Sequence, residues 1–204
     1  MGQSDTIYTI GHSNLGFDAF LALLQNAGIE AIADVRSSPW SRFNPQFNRE
    51  TLKAELKAAG IAYSHLGEEL GGRPKEPQYF CEGVADYRKM RQAPTFDGGL
   101  QRLYAGAKRF RIAVMCSEQN PLECHRCLLV GRALYQSGRP IIHLLHDGSS
   151  ITQADVEEKL LALAGKDGGD LFAPLAERID AAYWAQNRKN AFAPPDFREK
   201  GDSR

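Results

Sequence analysis

Residues 111–134, RIAVMCSEQNPLECHRCLLVGRAL, decide the fold. Ile112 to Met115 form an apolar run that ends at Cys116 and Glu118. Asn120 and Pro121 then mark a turn, and Glu123-Cys124-His125-Arg126 restart the chain as a helical pattern. A strand, a polar loop and a helix start in that order make one unit of an open α/β sheet. Ligands collect beyond the carboxyl ends of such strands, where the unpaired N–H groups of the next helix favour an anion. A thiol, a carboxylate, an imidazole and a guanidinium therefore converge on one strand end.

Upstream, TIYTIG at 6–11 is a β-rich run that leads into His12-Ser13-Asn14. Phe17, Phe20, Leu21 and Leu24 follow at helical spacing up to Gly28. Residues 29–35, IEAIADV, read as a second strand, nearly apolar throughout as a strand covered on both faces should be, and they deliver Asp34 and Arg36 to its end. The loop from Ser37 to Asn48 carries Ser41 and Arg42 and interleaves Trp40, Phe43 and Phe47. Two outcomes are open there: guanidinium and aromatic faces for phosphates and bases, or aromatics that plug the sheet edge beside solvated arginines. A helix from Arg49 to Ala59 is closed by Gly60, and Ile61 to Leu66 alternate as a third strand. Gly71 and Gly72 beside Arg73 and Lys75 predict a turn whose bare backbone would also suit an anion.

Residues 79–108 read as helical with a break at Pro94, and the helix from Cys124 is stopped by Gly138 and Pro140 ahead of a strand at 141–145. Thr152 and Asp155 make a capping-box-like start for a further helix, GKDGGD reads as a linker, and Pro174 opens a last amphipathic helix. Strand and helix signals alternate, which predicts an α/β fold: a mostly parallel sheet with helices on both faces over 1–147. A C-terminal helical extension over 148–189 and a flexible tail over 190–204 complete the expected division.

Lys plus Arg number 25 and Asp plus Glu 25, so net charge exerts no global pull toward nucleic acid or membrane, while a local basic site remains open. No apolar run reaches the length of a membrane span, and MGQSDTIYTIGHS has no basic region followed by a hydrophobic stretch. A cytoplasmic location without membrane contact is expected. Cysteines 81, 116, 124 and 127 are expected to be reduced, as site or core thiols rather than a disulfide framework.

TIGHSN, DVRSSPWSRFNPQFN, YSHLGEELGG and MCSEQNPLECHR, in that order over residues 9–126, together resemble the domain of unknown function 488 family. The residues that carry the resemblance are Gly11, His12 and Ser13; Asp34, Arg36, Pro39, Ser41 and Arg42; Tyr63, Leu70, Gly71 and Gly72; and Cys116, Glu118, Cys124, His125 and Arg126. Asp170-Leu171-Phe172 looks like the ending of shorter members. The resemblance implies a fold and a site; its name records no activity.

Four chemistries fit these residue types. A thiol enzyme would use Cys116 at a strand end or Cys124 at a helix start, where positive charge favours thiolate. The order DVR, strand, Cys, loop and Arg is similar to rhodanese sulfurtransferases and distantly to cysteine phosphatases. However, nine residues separate Cys116 from Arg126, against about five in a tight anion-cradling loop. A hydrolase would use Asp34 or Glu118 as base with His12 or His125 as acid, unless Asp34 pairs with an arginine. A zinc site would draw on Cys116, Cys124, His125 and His12, but adjacent Cys124 and His125 argue against a shared ion, so no metal or other cofactor is expected. A binding module without catalysis would need only Arg36, Arg42, Arg73 and Arg126 with Trp40 and Phe43. The expectation carried forward is a phosphate-bearing ligand, either nucleotide or nucleic acid. Ser13, Arg36, Ser41, Arg42, Gly71, Gly72, Cys124 and Arg126 would bind it, and Glu118, Asp34, His12, His125 and Cys116 would supply hydrolysis or group transfer. Whether the chain is catalytic, and its oligomeric state, stay open at this stage.

Overall fold

A computed structural model describes residues 6–166 and 172–195. Five parallel strands and one antiparallel edge strand make a single sheet. In chain order these are β1 (Ile7–Gly11), β2 (Ala31–Asp34), β3 (Ala62–His65), β6 (Ile112–Cys116), β7 (Ile141–Leu144) and β8 (Ser150–Thr152), and in space they run β3-β2-β6-β1-β7-β8. A separate hairpin pairs β4 (Phe80–Cys81) with β5 (Val84–Ala85). Because β6 inserts between β1 and β2, in the registers Gly11↔Cys116 and Asp34↔Met115, three strand ends that are far apart in sequence lie side by side.

The central strands are buried on both faces, as their apolar runs require, and side-chain alternation sends successive residues to opposite cores. Ile32, Ala113 and Met115 face α1 (Phe17–Asn26) and α2 (Arg49–Ala58) through Phe20, Leu24, Leu52 and Leu56. Ala33, Val114 and Cys116 face the opposite core. That core draws on α3 (Gly67–Leu70), α4 (Tyr87–Met90), α5 (Pro94–Ala107), α6 (Arg132–Gln136), α7 (Gln153–Lys166) and α8 (Leu175–Asn190). Val156 and Leu160 of α7 and Ala182 and Tyr183 of α8 are buried in it, so the C-terminal helices share the sheet's core.

Three local expectations are corrected. Residues 79–108 are not one broken helix: Glu82 and Gly83 both take positive φ (52° and 82°), the requirement of a two-residue hairpin turn, and they fold β4 onto β5. Asp86 then caps α4 by accepting from Arg88 N at 2.9 Å, and Pro94 occupies the first turn of α5. The helix expected from Cys124 begins instead as a 3₁₀ turn at Pro121–Glu123, passes through an extended Cys124, and continues as a π-helical stretch over Arg126–Gly131 before α6. Wide π turns of this kind recur at functional sites. Residues 190–192, assigned to a tail, dock on the fold, since Ala85 N donates to the Phe192 carbonyl at 2.8 Å. The GKDGGD linker lies mostly, and the Asp170-Leu171-Phe172 ending partly, outside the described residues, as do 196–204.

Candidate functional site

Beyond the carboxyl ends of β2 and β6 lies a cavity of about 160 Å³, lined by Arg36, Ser37, Ser38, Gly72, Arg73, Tyr87 and Phe192. Cys116, Glu118 and His125 line it as well. Cys116 Sγ and Cys124 Sγ each lie 2.9 Å from Glu118 Oε2, and Cys116 Sγ lies 3.5 Å from His125 Nδ1. One donor atom from each of these four residues lies within 4.8 Å of the others, so among the described residues they form a group that could hold a metal.

Local backbone explains the convergence. Cys124 is extended (φ −126°, ψ 136°) and His125 is helical (φ −60°, ψ −25°), so the chain turns between them and both side chains reach one point. His125 Nε2 donates to the Val35 carbonyl at 3.0 Å, which leaves Nδ1 facing the sulfur. Gly72 has no room for a side chain: a Cβ there would sit 2.7 Å from the His125 ring. Gly71 is similarly confined by Ser37 Oγ and the Gly67 carbonyl, which is what the Leu-Gly-Gly segment is for.

Protonation follows from these contacts. Burial, reinforced by Cys124 and Glu118, pushes the Cys116 thiol well up. Burial acts in the same sense on Cys124, but the hydrogen bond from Cys116, the Arg126 guanidinium and His125 outweigh it and hold Cys124 well below the ordinary thiol range. His125 is raised by Cys124 and Glu118 against the opposing effect of burial, and burial with the Cys124 charge raises Glu118.

Next to it stands a second network with a different task. Asp34, fully buried, accepts from Arg36 Nε at 2.9 Å and Nη2 at 2.7 Å, and from the Tyr63 hydroxyl at 2.7 Å. Arg36 also donates through Nη2 to the Phe47 carbonyl at 2.8 Å and through Nη1 to His12 Nε2 at 3.0 Å. Asp34 is thus an ion-pair partner of Arg36, one of the two roles open to it from the sequence. His12 is bound up in the same network. Burial and Arg36 lower it to about 4, its Nδ1 donates to the Ser13 carbonyl and its ring stacks on Phe47 at 4.1 Å, so at neutral pH it has no acid proton to give.

Arg126 is fully buried, and its guanidinium donates to the Glu118 and Gln119 carbonyls. It holds the loop in shape and is not among the residues that line the cavity. Ser41 Oγ accepts from Phe43 N and Asn44 N, and Arg42 lies over the Phe43 ring at 4.6 Å, so both belong to the outer loop. Of the aromatics there, Phe47 plugs the sheet while Trp40 and Phe43 are 69% and 77% exposed. Ser13, at φ 46°, ties the β1 loop to the β6 loop through its N–H on the Ser117 carbonyl at 2.7 Å. Sequence reasoning left Ser37, Ser38, Tyr87 and Phe192 out of the site. Ser37 and Ser38 follow Asp-Val-Arg directly and were within reach of the motif; nothing local to Tyr87 or Phe192 announces a cavity wall.

The family model described as "Domain of unknown function DUF488" matches residues 16–133, more than half of the chain. The chain belongs to this family. The DUF488 match contains the Asp-Val-Arg, Leu-Gly-Gly and Cys-His-Arg segments, whereas Gly11-His12-Ser13 precedes it. No curated protein and no solved structure matches the chain. No helix among the described residues is long and apolar enough to cross a membrane.

Proposed function

We propose that this chain is an enzyme that takes a phosphate-bearing ligand, a nucleotide or a nucleic-acid segment, into the cavity and hydrolyses it or transfers a group from it at the Cys116–Glu118–Cys124–His125 cluster. One observation carries this reading: four chemically competent side chains place their donor atoms within 4.8 Å of one another, and three of the four residues line an open cavity. Arg73 at the rim is exposed, and no carboxylate pairs with it among the described residues, so it is the cation offered to the phosphate. Glu118 is the base. It takes a proton from a water, the hydroxide oxygen bonds to the electrophilic phosphorus or carbon, and the leaving group departs with the proton that Glu118 returns. Trp40 and Phe43, exposed on the loop that starts at the cavity rim, offer faces for a base.

A second reading, thiol-dependent group transfer of the sulfurtransferase kind, is favoured by the setting of Cys124, whose sulfur accepts from Arg126 N at 3.4 Å beside the Arg126 charge that lowers its thiol. Cys124 is only 1% exposed, which disfavours direct attack by its sulfur.

The test is a thermal-shift series at fixed low salt with inorganic phosphate, nucleotides, short single-stranded DNA and RNA, and thiosulfate. A phosphate-bearing ligand at a hundredfold excess over its Kd stabilises by about 2.7 kcal/mol, and Arg73→Ala should lose most of that shift. With the ligand so found, Glu118→Gln should lower turnover about 10²–10⁴-fold while the shift persists. A shift with thiosulfate alone favours the second reading, and turnover indifferent to Glu118→Gln overturns the hydrolytic one.

A further inference from the structure

We propose that Cys116, Cys124 and His125 bind one soft divalent cation of the zinc class through Sγ, Sγ and Nδ1, with the fourth coordination position open to the cavity beside Glu118. What the ion would do there rests on the reading above; that it binds does not.

The donor atoms already converge: one from each of Cys116, Glu118, Cys124 and His125 lies within 4.8 Å of the others. Metal–sulfur bonds of about 2.3 Å and metal–nitrogen bonds of about 2.0 Å at tetrahedral angles set donors about 3.5 Å apart. Cys116 Sγ and His125 Nδ1 stand 3.5 Å apart. Glu118 Oε2 lies 2.9 Å from both sulfurs, and Glu118 lines the cavity. The supporting contacts are those that metal ligands need. His125 gives its other ring nitrogen to the Val35 carbonyl, which fixes both tautomer and ring plane, and Arg126 N donates to Cys124 Sγ at 3.4 Å. Cys116 and Cys124 are both buried, at most 2% exposed.

Charge agrees. Two thiolates neutralise a divalent ion. Arg126, buried and without a carboxylate partner among the described residues, adds a fixed positive charge beside the two sulfurs. Two sulfurs and an imidazole select a zinc-like ion over magnesium or calcium, which demand oxygen. Cys127 takes no part, because its sulfur turns away to Gln153, so the Cys124–Cys127 pair is not a ligand pair. Three protein ligands, an open position and a nearby glutamate are the parts by which zinc lowers the pKa of a bound water and a carboxylate moves its proton.

The experiment is elemental analysis of the full chain purified under reducing conditions without chelator, followed by stripping and titration with cobalt(II). Expected are a zinc-to-chain ratio near unity and, on cobalt loading, thiolate charge-transfer and tetrahedral ligand-field bands. Cys116→Ser and Cys124→Ser should weaken the metal by at least about 100-fold, and Gly72→Ala, which drives the His125 ring off its position, by about 10–100-fold. Cys127→Ser should retain it. Should the serine variants fail to fold, the cobalt spectrum of the unaltered chain decides. Absence of thiolate charge-transfer bands, or a Cys116–Cys124 disulfide forming in place of metal uptake, overturns the site. Phosphate-ligand turnover that survives complete stripping overturns the ion's role and leaves the proposed function standing. Stoichiometric metal with no phosphate-bearing ligand bound upholds the site and overturns that function.

Discussion

His12 and Asp34 show how the environment of a single residue redirects its chemistry. Both are types that supply acids and bases, and both stand at strand ends. Yet each is spent on Arg36, one as a neutral acceptor at Nε2 and the other as a bidentate carboxylate. Arg36 is 5% exposed and Asp34 fully buried, so removing the carboxylate strands a cation in a poorly solvated place. Asp34→Ala should therefore cost about 3–5 kcal/mol in urea unfolding; a loss below 1 kcal/mol (about the worth of a surface pair) would show that the pair does not hold the strand ends together. The sequence placed all of these groups at the strand ends, and Asp-Val-Arg carried the pairing as one of two readings. The choice between base and ion-pair partner depends on distances to Tyr63, His12 and Phe47, which come from three other segments.

At the scale of elements, the C-terminal helices complete the cavity. Asn187 of α8 accepts from Tyr87 N at 3.0 Å and donates to the Ala85 carbonyl at 2.8 Å, while Phe192 just beyond α8 receives the Ala85 N–H. These bonds seat the β4–β5 hairpin and α4, and Tyr87 and Phe192 are cavity wall. Asn187→Ala leaves two buried backbone groups unpaired, at about 1–3 kcal/mol each. The expected result is a lower urea midpoint together with weaker binding of whichever ligand the thermal-shift series identifies. A stability loss with unchanged ligand affinity would separate α8 from the site. The helices at 153–166 and 175–190 were legible from caps and spacing: Thr152 N and Oγ1 both donate to Asp155 at 2.7 Å. Their docking was not legible, because Asn187 is one polar residue on an amphipathic helix, and only the folded chain brings it to Ala85.

Across the whole molecule, a buried polar chain runs from β1 to α8. The Thr9 hydroxyl lies 2.7 Å from His143 Nδ1, His143 Nε2 lies 2.9 Å from Gln153 Oε1, and Gln153 Nε2 donates to the Tyr183 hydroxyl at 2.7 Å. His143 is fully buried. Burial and the Arg126 charge outweigh its bond to Gln153 and lower it to about 3, from 6.5 ordinarily. The unfolded chain therefore takes up this proton below pH 6.5 and the folded chain does not until about pH 3. The stability that the neutral ring contributes is complete above pH 6.5 and is lost as pH falls through that window, at up to about 1.4 kcal/mol per pH unit. His12, lowered to about 4, adds to the loss in the same direction. Urea unfolding between pH 7 and pH 4 should be shallower in its pH dependence for His143→Gln than for the unaltered chain; equal slopes would mean that His143 charges in the native state.

The sequence alone determined the alternation of strands and helices, the parallel sheet and the strand ends at which chemistry gathers. Apolar runs, caps and glycine stops act within a few residues and are written in order along the chain. Tertiary structure decided what those ends do. Placing β6 between β1 and β2 set Cys116 beside the loop that carries Val35. The turn from extended Cys124 to helical His125 then aimed two adjacent side chains at one point, where their spacing in sequence had argued against it. Arg126, which the sequence offered to a ligand, was drawn into the interior by two carbonyls of its own loop. Such outcomes depend on distances between segments far apart in sequence, and no local pattern carries those distances.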